Sequence, residues 1–263
     1  MTDLLLIRNT YNSGGMKMGS KTSFTTQPRE SWSSLIGTLL LVLAVLGVVL
    51  YSTIALSIAL GGMHQPTSRV ATLLIGTTAG ELAAFGVLVW LLHRRGSRLR
   101  DLGWGQPTRW WAIALGIGIA IVYSAYTALN PHVGAHILEF SWLELLSIGA
   151  AVVAGLVEET ILRGYVMTTL GRMGYGLVVQ ILLSGLFFAL VHFYAFAAPL
   201  SVLVVQGLTF MLGVALATTY VIGKRSLTPV IISHALIDVL IEPWLLLSFF
   251  QKKRGPSDIS SLS

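Results

Sequence analysis

The chain of 263 residues is 54% hydrophobic and only 11% charged, with a mean hydropathy of +0.78. This composition excludes a soluble globular domain and is typical of a protein that crosses the membrane several times. The net charge of +6 comes from basic residues near the ends of apolar stretches, which the positive-inside rule explains, so nucleic-acid binding is excluded. Since there is no cysteine, disulfides, thiolate metal sites and a cysteine nucleophile are excluded as well.

Seven apolar stretches follow one another, at about residues 33–60, 70–92, 110–129, 142–170, 177–194, 199–222 and 227–250. As helices, most are long enough to cross about 30 Å of hydrocarbon. We therefore predict an all-α, polytopic transmembrane helical bundle of about seven to eight helices, with one transmembrane domain at residues 33–250. We expect a polar, disordered arm at residues 1–32 and a polar tail at residues 251–263.

The basic loops predict the orientation of the bundle in the cell membrane. Alternating spans from a cytoplasmic N-terminus place residues 93–109, Arg172 and Lys224 on the inside, as the rule requires. The basic tail then falls outside, which the rule disfavours. Either the last stretch, interrupted at Pro243, turns back, or another stretch is not a full span, and both alternatives stay open.

Two adjacent carboxylates and an arginine interrupt the fourth apolar stretch. An acidic side chain at the centre of a spanning helix costs about 2.5 to 3.5 kcal/mol, so Glu158 and Glu159 require a partner, a water-filled cavity or a function. Glu159 and Arg163 are one helical turn apart and can neutralise each other. Glu158 points about 100° away from Glu159 and is left for chemistry. The simpler interpretation is a buried salt bridge that fixes helix packing.

Other polar residues lie at membrane depth in the C-terminal half. His192 follows Phe188 by one helical turn, and His234 precedes Asp238 by one turn. Counting from the basic turns, Glu158 and His192 differ in depth by only about 6 Å, so they can meet, and His234 lies within reach. A carboxylate and imidazoles that converge on one water suit general-base hydrolysis, in which Glu158 takes the proton and a histidine or metal polarises the carbonyl.

Three remaining polar residues are interpreted as structural. Glu81 is a lone acid in the second stretch, which is typical of a packing residue or one that lines a water cavity. His132 and His136 lie in a loop with neither a helical pattern nor an acidic partner, so we interpret them as solvated loop residues.

The motifs E-E-x-x-x-R, F-x-x-x-H and H-x-x-x-D/N, in this order, resemble the CPBP intramembrane protease family, which includes CAAX prenyl protease 2 type enzymes and Abi proteins. The resemblance covers residues 142–245, with a further family-like Leu102-Gly103-Trp104 before them. It implies an intramembrane (metallo)endopeptidase, possible CAAX specificity, and a peptide or membrane protein as substrate.

The resemblance also implies a role for each motif residue. Glu158 and His192 would activate the water, and His234 and Asp238 would stabilise the oxyanion or share a metal. Glu159 and Arg163 would complete the first motif.

Asp238 stands where the prenyl-protease branch usually has asparagine, and an acid donates a hydrogen bond to an oxyanion only when protonated. Either burial keeps Asp238 protonated, or its role shifts toward binding a metal or orienting His234. The set of two histidines and a carboxylate, His192, His234 and Asp238, slightly favours a zinc-like divalent metal over a metal-free mechanism. HExxH is absent, so ordinary zincin chemistry does not follow.

Two rival functions from other classes stay open. A proton-coupled transporter would use Glu81, Glu158, His192 and Asp238 as a relay, although paired broken helices in two halves are not seen. A catalytically silent immunity protein or partner-binding membrane protein would keep the fold without turnover.

Overall fold

The computed structural model describes residues 30–135, 140–192 and 199–251, and the chain is helical, without strands, across these ranges. The long helices are α1 (Trp32–Ala59), α2 (Pro66–Arg94), α3 (Trp110–Thr127), α4 (Trp142–Arg172), α5 (Leu177–Val191), α6 (Pro199–Ile222) and α7 (Thr228–Gln251). This architecture confirms the predicted all-α, polytopic bundle. Most of the predicted arm, the tail beyond residue 251 and His136 lie outside the described residues, and of His132 only the backbone is described, in the short helix Pro131–Gly134.

Six helices in the described ranges are long and apolar enough to span a membrane. Their outer faces carry exposed aliphatic side chains such as Leu40 and Val48, as expected for surfaces in contact with lipid. Helix α5 has 15 residues, a length of about 22 Å, which is less than the hydrocarbon thickness of about 30 Å. The chain is thus a multi-pass membrane protein in which α5 is the short stretch.

The expected interruption of the last stretch is wrong, because α7 continues through Pro243 to Gln251. Proline is tolerated inside a spanning helix where neighbouring helices and side chains satisfy the backbone groups that it leaves without partners. Ile241 and Trp244, which flank Pro243, are each only 4% exposed. Of the two alternatives for the C-terminal half, the structure therefore excludes a break at Pro243, and α5 is the helix that is shorter than the hydrocarbon thickness.

Helices α4 and α7 form the centre of the bundle, while α1 lies at its edge. In the apolar windows of α4 and α1, 50% and 11% of the residues are buried, respectively. A glycine allows α4 and α7 to approach closely, since a Cβ on Gly155 would lie 3.1 Å from the Ile231 carbonyl oxygen. Helices α2 and α3 pack beside this pair, and α5 packs against α6.

The loop after α2 folds back against the centre of the bundle. Its 3₁₀ turn, Leu99–Leu102, places Leu102 against Gly164 of α4, where a Cβ would be only 3.1 Å from the Leu102 carbonyl oxygen. The Tyr220 hydroxyl of α6 donates to the same carbonyl at 3.2 Å. These contacts hold the loop beside the segment of α4 that follows Glu158 and Glu159.

Candidate active site

The fourth helix changes its hydrogen-bonding pattern directly after the two adjacent carboxylates. Residues Thr160–Val166 form a π-helical segment, a feature that often marks functional sites. Neighbouring side chains stabilise it. The Ser184 hydroxyl of α5 donates to the Leu162 carbonyl at 3.0 Å, and the Trp104 indole donates to the Thr160 hydroxyl at 3.1 Å.

Glu159 and Arg163 form the predicted ion pair, with Nη1 of Arg163 2.8 Å from Oε1 of Glu159 and both side chains fully buried. Nη2 of Arg163 also donates to the Gly213 carbonyl of α6 at 3.1 Å. The guanidinium lies over the Phe188 ring, 4.7 Å from its centroid. Through Arg163, the pair therefore links α4 to Phe188 of α5 and to Gly213 of α6.

Glu159 has a second partner that the helical spacing did not reveal. Nδ1 of His234 lies 2.8 Å from the same Oε1. A carboxylate oxygen can only accept, so Nδ1 carries a proton and donates it. In the neutral ring the lone pair is then on Nε2, and Glu159 determines which nitrogen His234 turns toward the centre.

Glu158, unlike the fully buried Glu159, is partly exposed and faces two imidazole rings. Its Oε2 lies 3.5 Å from Nε2 of His192 and 4.0 Å from Nε2 of His234, and the side chain remains 21% exposed. This oxygen is itself buried and has no hydrogen-bond partner within the described ranges. A polar atom in that position is suited to accept a hydrogen bond from a water or to bind a cation.

His192 ends α5 and is held in one orientation. Its Nδ1 donates to the Phe188 carbonyl at 2.9 Å, and its ring lies against the Phe188 ring with centroids 4.3 Å apart. Gln206 of α6 donates to the His192 carbonyl at 3.2 Å. The lone pair of the neutral ring is therefore on Nε2, which faces Glu158.

Asp238 contacts only part of this group. Its Oδ2 lies 3.4 Å from Nε2 of His234, one turn earlier on α7, and its side chain is 19% exposed. The structure thus brings together the four residues that the sequence predicts to take part in the chemistry, with Asp238 at the edge of the group. They are Glu158, His192, His234 and Asp238.

The structure offers three metal ligands. One donor atom each from Glu158, His192 and His234 lie within 4.8 Å of one another, and no other such group of His, Cys, Asp and Glu occurs among the described residues. The donors fit a zinc-like ion, because both rings present Nε2 while Nδ1 donates elsewhere, and Oε2 of Glu158 lacks a hydrogen-bond partner. This set shares His192 and His234 with the predicted ligands and includes Glu158, while Asp238, the third predicted ligand, lies beside it with Oδ2 3.4 Å from Nε2 of His234.

Two further carboxylates lie near the centre. Glu81 of α2 is 6% exposed and interacts electrostatically with Glu158 and Asp238. Glu242 of α7 interacts with the same two groups. Glu242 lies one turn after Asp238, and this spacing could have placed it near the site if Pro243 had not suggested an interruption.

The fold and the centre together define a multi-pass helical membrane protein with carboxylates and imidazoles converging inside the bundle. Residues 140–240 match the family described as Rce1-like, Type II CAAX prenyl endopeptidase Rce1-like. This match confirms the resemblance inferred from the three motifs, all of which it includes, and it supports a CAAX-type intramembrane protease. No curated protein and no solved structure matches the chain.

Proposed function

We propose that the protein is an intramembrane endopeptidase that hydrolyses a peptide bond with water activated by Glu158. The observation that carries the proposal is the position of this carboxylate. The described ion pair of Arg163 on the same helix is with Glu159, whereas Glu158 faces Nε2 of His192 at 3.5 Å and Nε2 of His234 at 4.0 Å. The family match over residues 140–240 supports the same reaction class.

In the proposed reaction, water lies between Glu158 and the two imidazoles. Glu158 takes a proton as the water oxygen attacks the carbonyl, and it returns that proton to the leaving amine. When His234 carries a second proton, its Nε2–H is a donor for the oxyanion, and Asp238 at 3.4 Å stabilises that charged ring. Glu159 keeps His234 in this orientation through the bond to Nδ1.

The same site fits a metal-assisted form of the reaction. Glu158, His192 and His234 would hold a zinc-like ion, which when bound supplies Lewis-acid polarisation of the scissile carbonyl. In that form the Phe188 carbonyl and the Glu159 carboxylate accept from the two Nδ1–H groups and orient the rings.

We place the protein in the cell membrane with its N-terminus in the cytoplasm and with a peptide or membrane protein as substrate. Arg100, Arg172 and Lys224 line one cavity and therefore lie at the same end of the bundle. Glu30, just before α1, lies 3.5 Å from Arg172, so the first helix starts at this basic end. The positive-inside rule assigns such an end to the cytoplasm.

The test is proteolysis of tagged membrane proteins in cells that express the wild type or Glu158→Ala. Glu144→Ala is the matched control, because Glu144 is a carboxylate in the first turn of the same helix, far from the centre. We expect cleavage products with the wild type and with the control and none with Glu158→Ala. Identical product patterns from the wild type and Glu158→Ala would refute the proposal and favour a silent partner-binding protein.

A further inference from the structure

A second site lies at the basic end of the bundle, away from the carboxylate–imidazole centre. A cavity of about 390 Å³ opens between the loop after α2, the end of α4 and the turn from α6 to α7. Arg172, one of its lining residues, follows Glu158 by 14 positions on α4, a distance of about 20 Å along the helix. The cavity is therefore a separate feature.

The lining of this cavity carries a positive charge excess. Four cationic residues, Arg100, Arg172, Lys224 and Arg225, line it together with one acid, Asp101. The Asp101 carboxylate already accepts a hydrogen bond from the backbone of Arg98 at 2.8 Å. The lining by itself therefore has a net charge of +3, and since Glu30, outside the lining, pairs with Arg172 at 3.5 Å, a net charge of +2 remains for a ligand.

Arg225 is held in place by neutral groups. Its Nη2 donates to Oε1 of Gln180, and its guanidinium lies 5.9 Å from the centroid of the Tyr220 ring. Gln180 is only 4% exposed and is fixed in turn by donating to the Tyr175 carbonyl at 2.7 Å. Because these partners carry no negative charge, they orient the guanidinium and leave its charge for a ligand.

The backbone of the α6–α7 turn is strained where it presents two of the cations. Lys224 and Arg225 have φ values of +61° and +56°, in the left-handed region that non-glycine residues rarely adopt. Gly103 stacks against this turn, and a Cβ there would collide with the Arg225 carbonyl oxygen. Strain of this kind persists where the surrounding structure enforces it, and it clusters at ligand sites.

We propose that this cavity binds the phosphate of an anionic phospholipid headgroup. Phosphate oxygens match a cluster of arginine and lysine donors, and basic pockets at the cytoplasmic ends of spanning helices suit lipid headgroups. The cavity lies at the ends of α4 and α6, where the lipid phosphates of the inner leaflet would lie. The inference rests on the proposed cytoplasmic orientation of this end and is independent of the proposed protease activity.

Binding is measured on the full-length protein purified in an uncharged detergent. The melting temperature is followed during titration with short-chain phosphatidylglycerol, short-chain phosphatidylcholine or inorganic phosphate. The variants are Arg225→Gln, at a partly buried cation, and the double variant Arg100→Gln/Lys224→Gln, at two exposed cations whose replacement we expect to leave the fold intact. Arg109→Gln is the matched control, an exposed cation of the same loop that lies over Trp111 outside the cavity lining.

We expect phosphatidylglycerol to raise the melting temperature and to bind roughly fivefold more weakly for each lining cation removed, with no change in Arg109→Gln. Phosphatidylcholine should have little effect. A matching, variant-dependent shift with inorganic phosphate would support the phosphate site and assign it a soluble source. Equal responses of the wild type and the double variant to phosphatidylglycerol, or no preference for it over phosphatidylcholine, would overturn the proposal.

Discussion

The two adjacent carboxylates of α4 belong to different halves of the same centre. Glu159 is fully buried, and its Oε1 accepts from both Arg163 and His234 at 2.8 Å. Glu158 is 21% exposed, and its nearest described partner, Nε2 of His192, is 3.5 Å away. We call Glu159, with its partners Arg163 and Nδ1 of His234, the closed half of the centre. The open half is Glu158 with Nε2 of His192 and of His234, at distances longer than a hydrogen bond or at its limit.

This difference assigns the two carboxylates different roles: Glu159 positions a neighbouring side chain, and Glu158 takes part in the reaction. A buried ion pair contributes little net stability compared with apolar packing, but breaking it leaves an uncompensated charge. The closed half therefore maintains a geometry, in which Glu159 fixes the proton of His234 on Nδ1 and directs Nε2 toward Glu158. In the open half, Oε2 of Glu158 faces Nε2 of His192 at 3.5 Å and Nε2 of His234 at 4.0 Å, and these atoms are placed to bind a water, a metal or a substrate.

The largest expected effect comes from the open half, in His192→Gln. Removing the imidazole that faces Glu158 should lower kcat/KM for peptide hydrolysis by about 10²- to 10⁴-fold, because a positioned acid–base group contributes that much. The melting temperature should stay near that of the wild type, since the described side-chain bond of His192 is to a carbonyl of its own helix. Activity assays and thermal melts of the purified variant test this. A destabilised but active variant would mean that the two halves have been assigned the wrong way round.

Glu159→Gln tests the closed half. The change leaves Arg163 without its anionic partner in a fully buried position, and we expect a loss of about 3 kcal/mol in stability. Activity should fall as well, because the amide no longer enforces the orientation of His234. Thermal or denaturant unfolding in detergent gives the first quantity, with Glu158→Gln as the control that keeps near-wild-type stability. Equal stability of the two variants would remove the distinction between the halves.

Asp238→Asn examines the edge of the centre and has a smaller expected effect. Asp238 lies outside the group formed by Glu158, His192 and His234, so its replacement should change activity less than about tenfold and leave bound metal unchanged. Elemental analysis of the purified variant, with activity measured before and after chelation, provides the test. Loss of a zinc-like ion in Asp238→Asn, but not in the control Glu144→Gln, would restore Asp238 as a ligand.

The sequence was sufficient for the features that depend on local spacing and composition. The i,i+4 rule predicted the bond between Glu159 and Arg163, and depth counting predicted that His192 would approach Glu158. Both follow from the fixed rise and pitch of helices that must cross a layer of known thickness.

Features that depend on the packing of distant segments could not be predicted. The bond from His234 to Glu159 joins residues 75 positions apart and requires the close approach of α4 and α7 at Gly155. The continuity of α7 through Pro243 is set by neighbouring helices, whereas proline by itself favours an interruption. The π-helical segment likewise depends on contacts with other parts of the chain, such as the bond from Trp104 to Thr160.

Removing the hydrogen bond from the Trp104 indole to the Thr160 hydroxyl should have the smallest effect of the changes considered. This bond contacts the backbone region of α4 and none of the side chains at the centre. Trp104→Phe removes the indole donor and leaves no buried donor unsatisfied, since the Thr160 hydroxyl still donates to the Leu156 carbonyl at 2.6 Å. We expect a loss of about 1 kcal/mol in stability and a less than tenfold decrease in kcat, with KM unchanged. Trp90→Phe is the control, an exposed tryptophan on α2 under Arg94 that should leave both quantities unaltered. Thr160→Val should lower the stability more than Trp104→Phe, because it leaves the indole N–H of Trp104 without its acceptor. A KM increase without a kcat change would instead place Trp104 against the substrate.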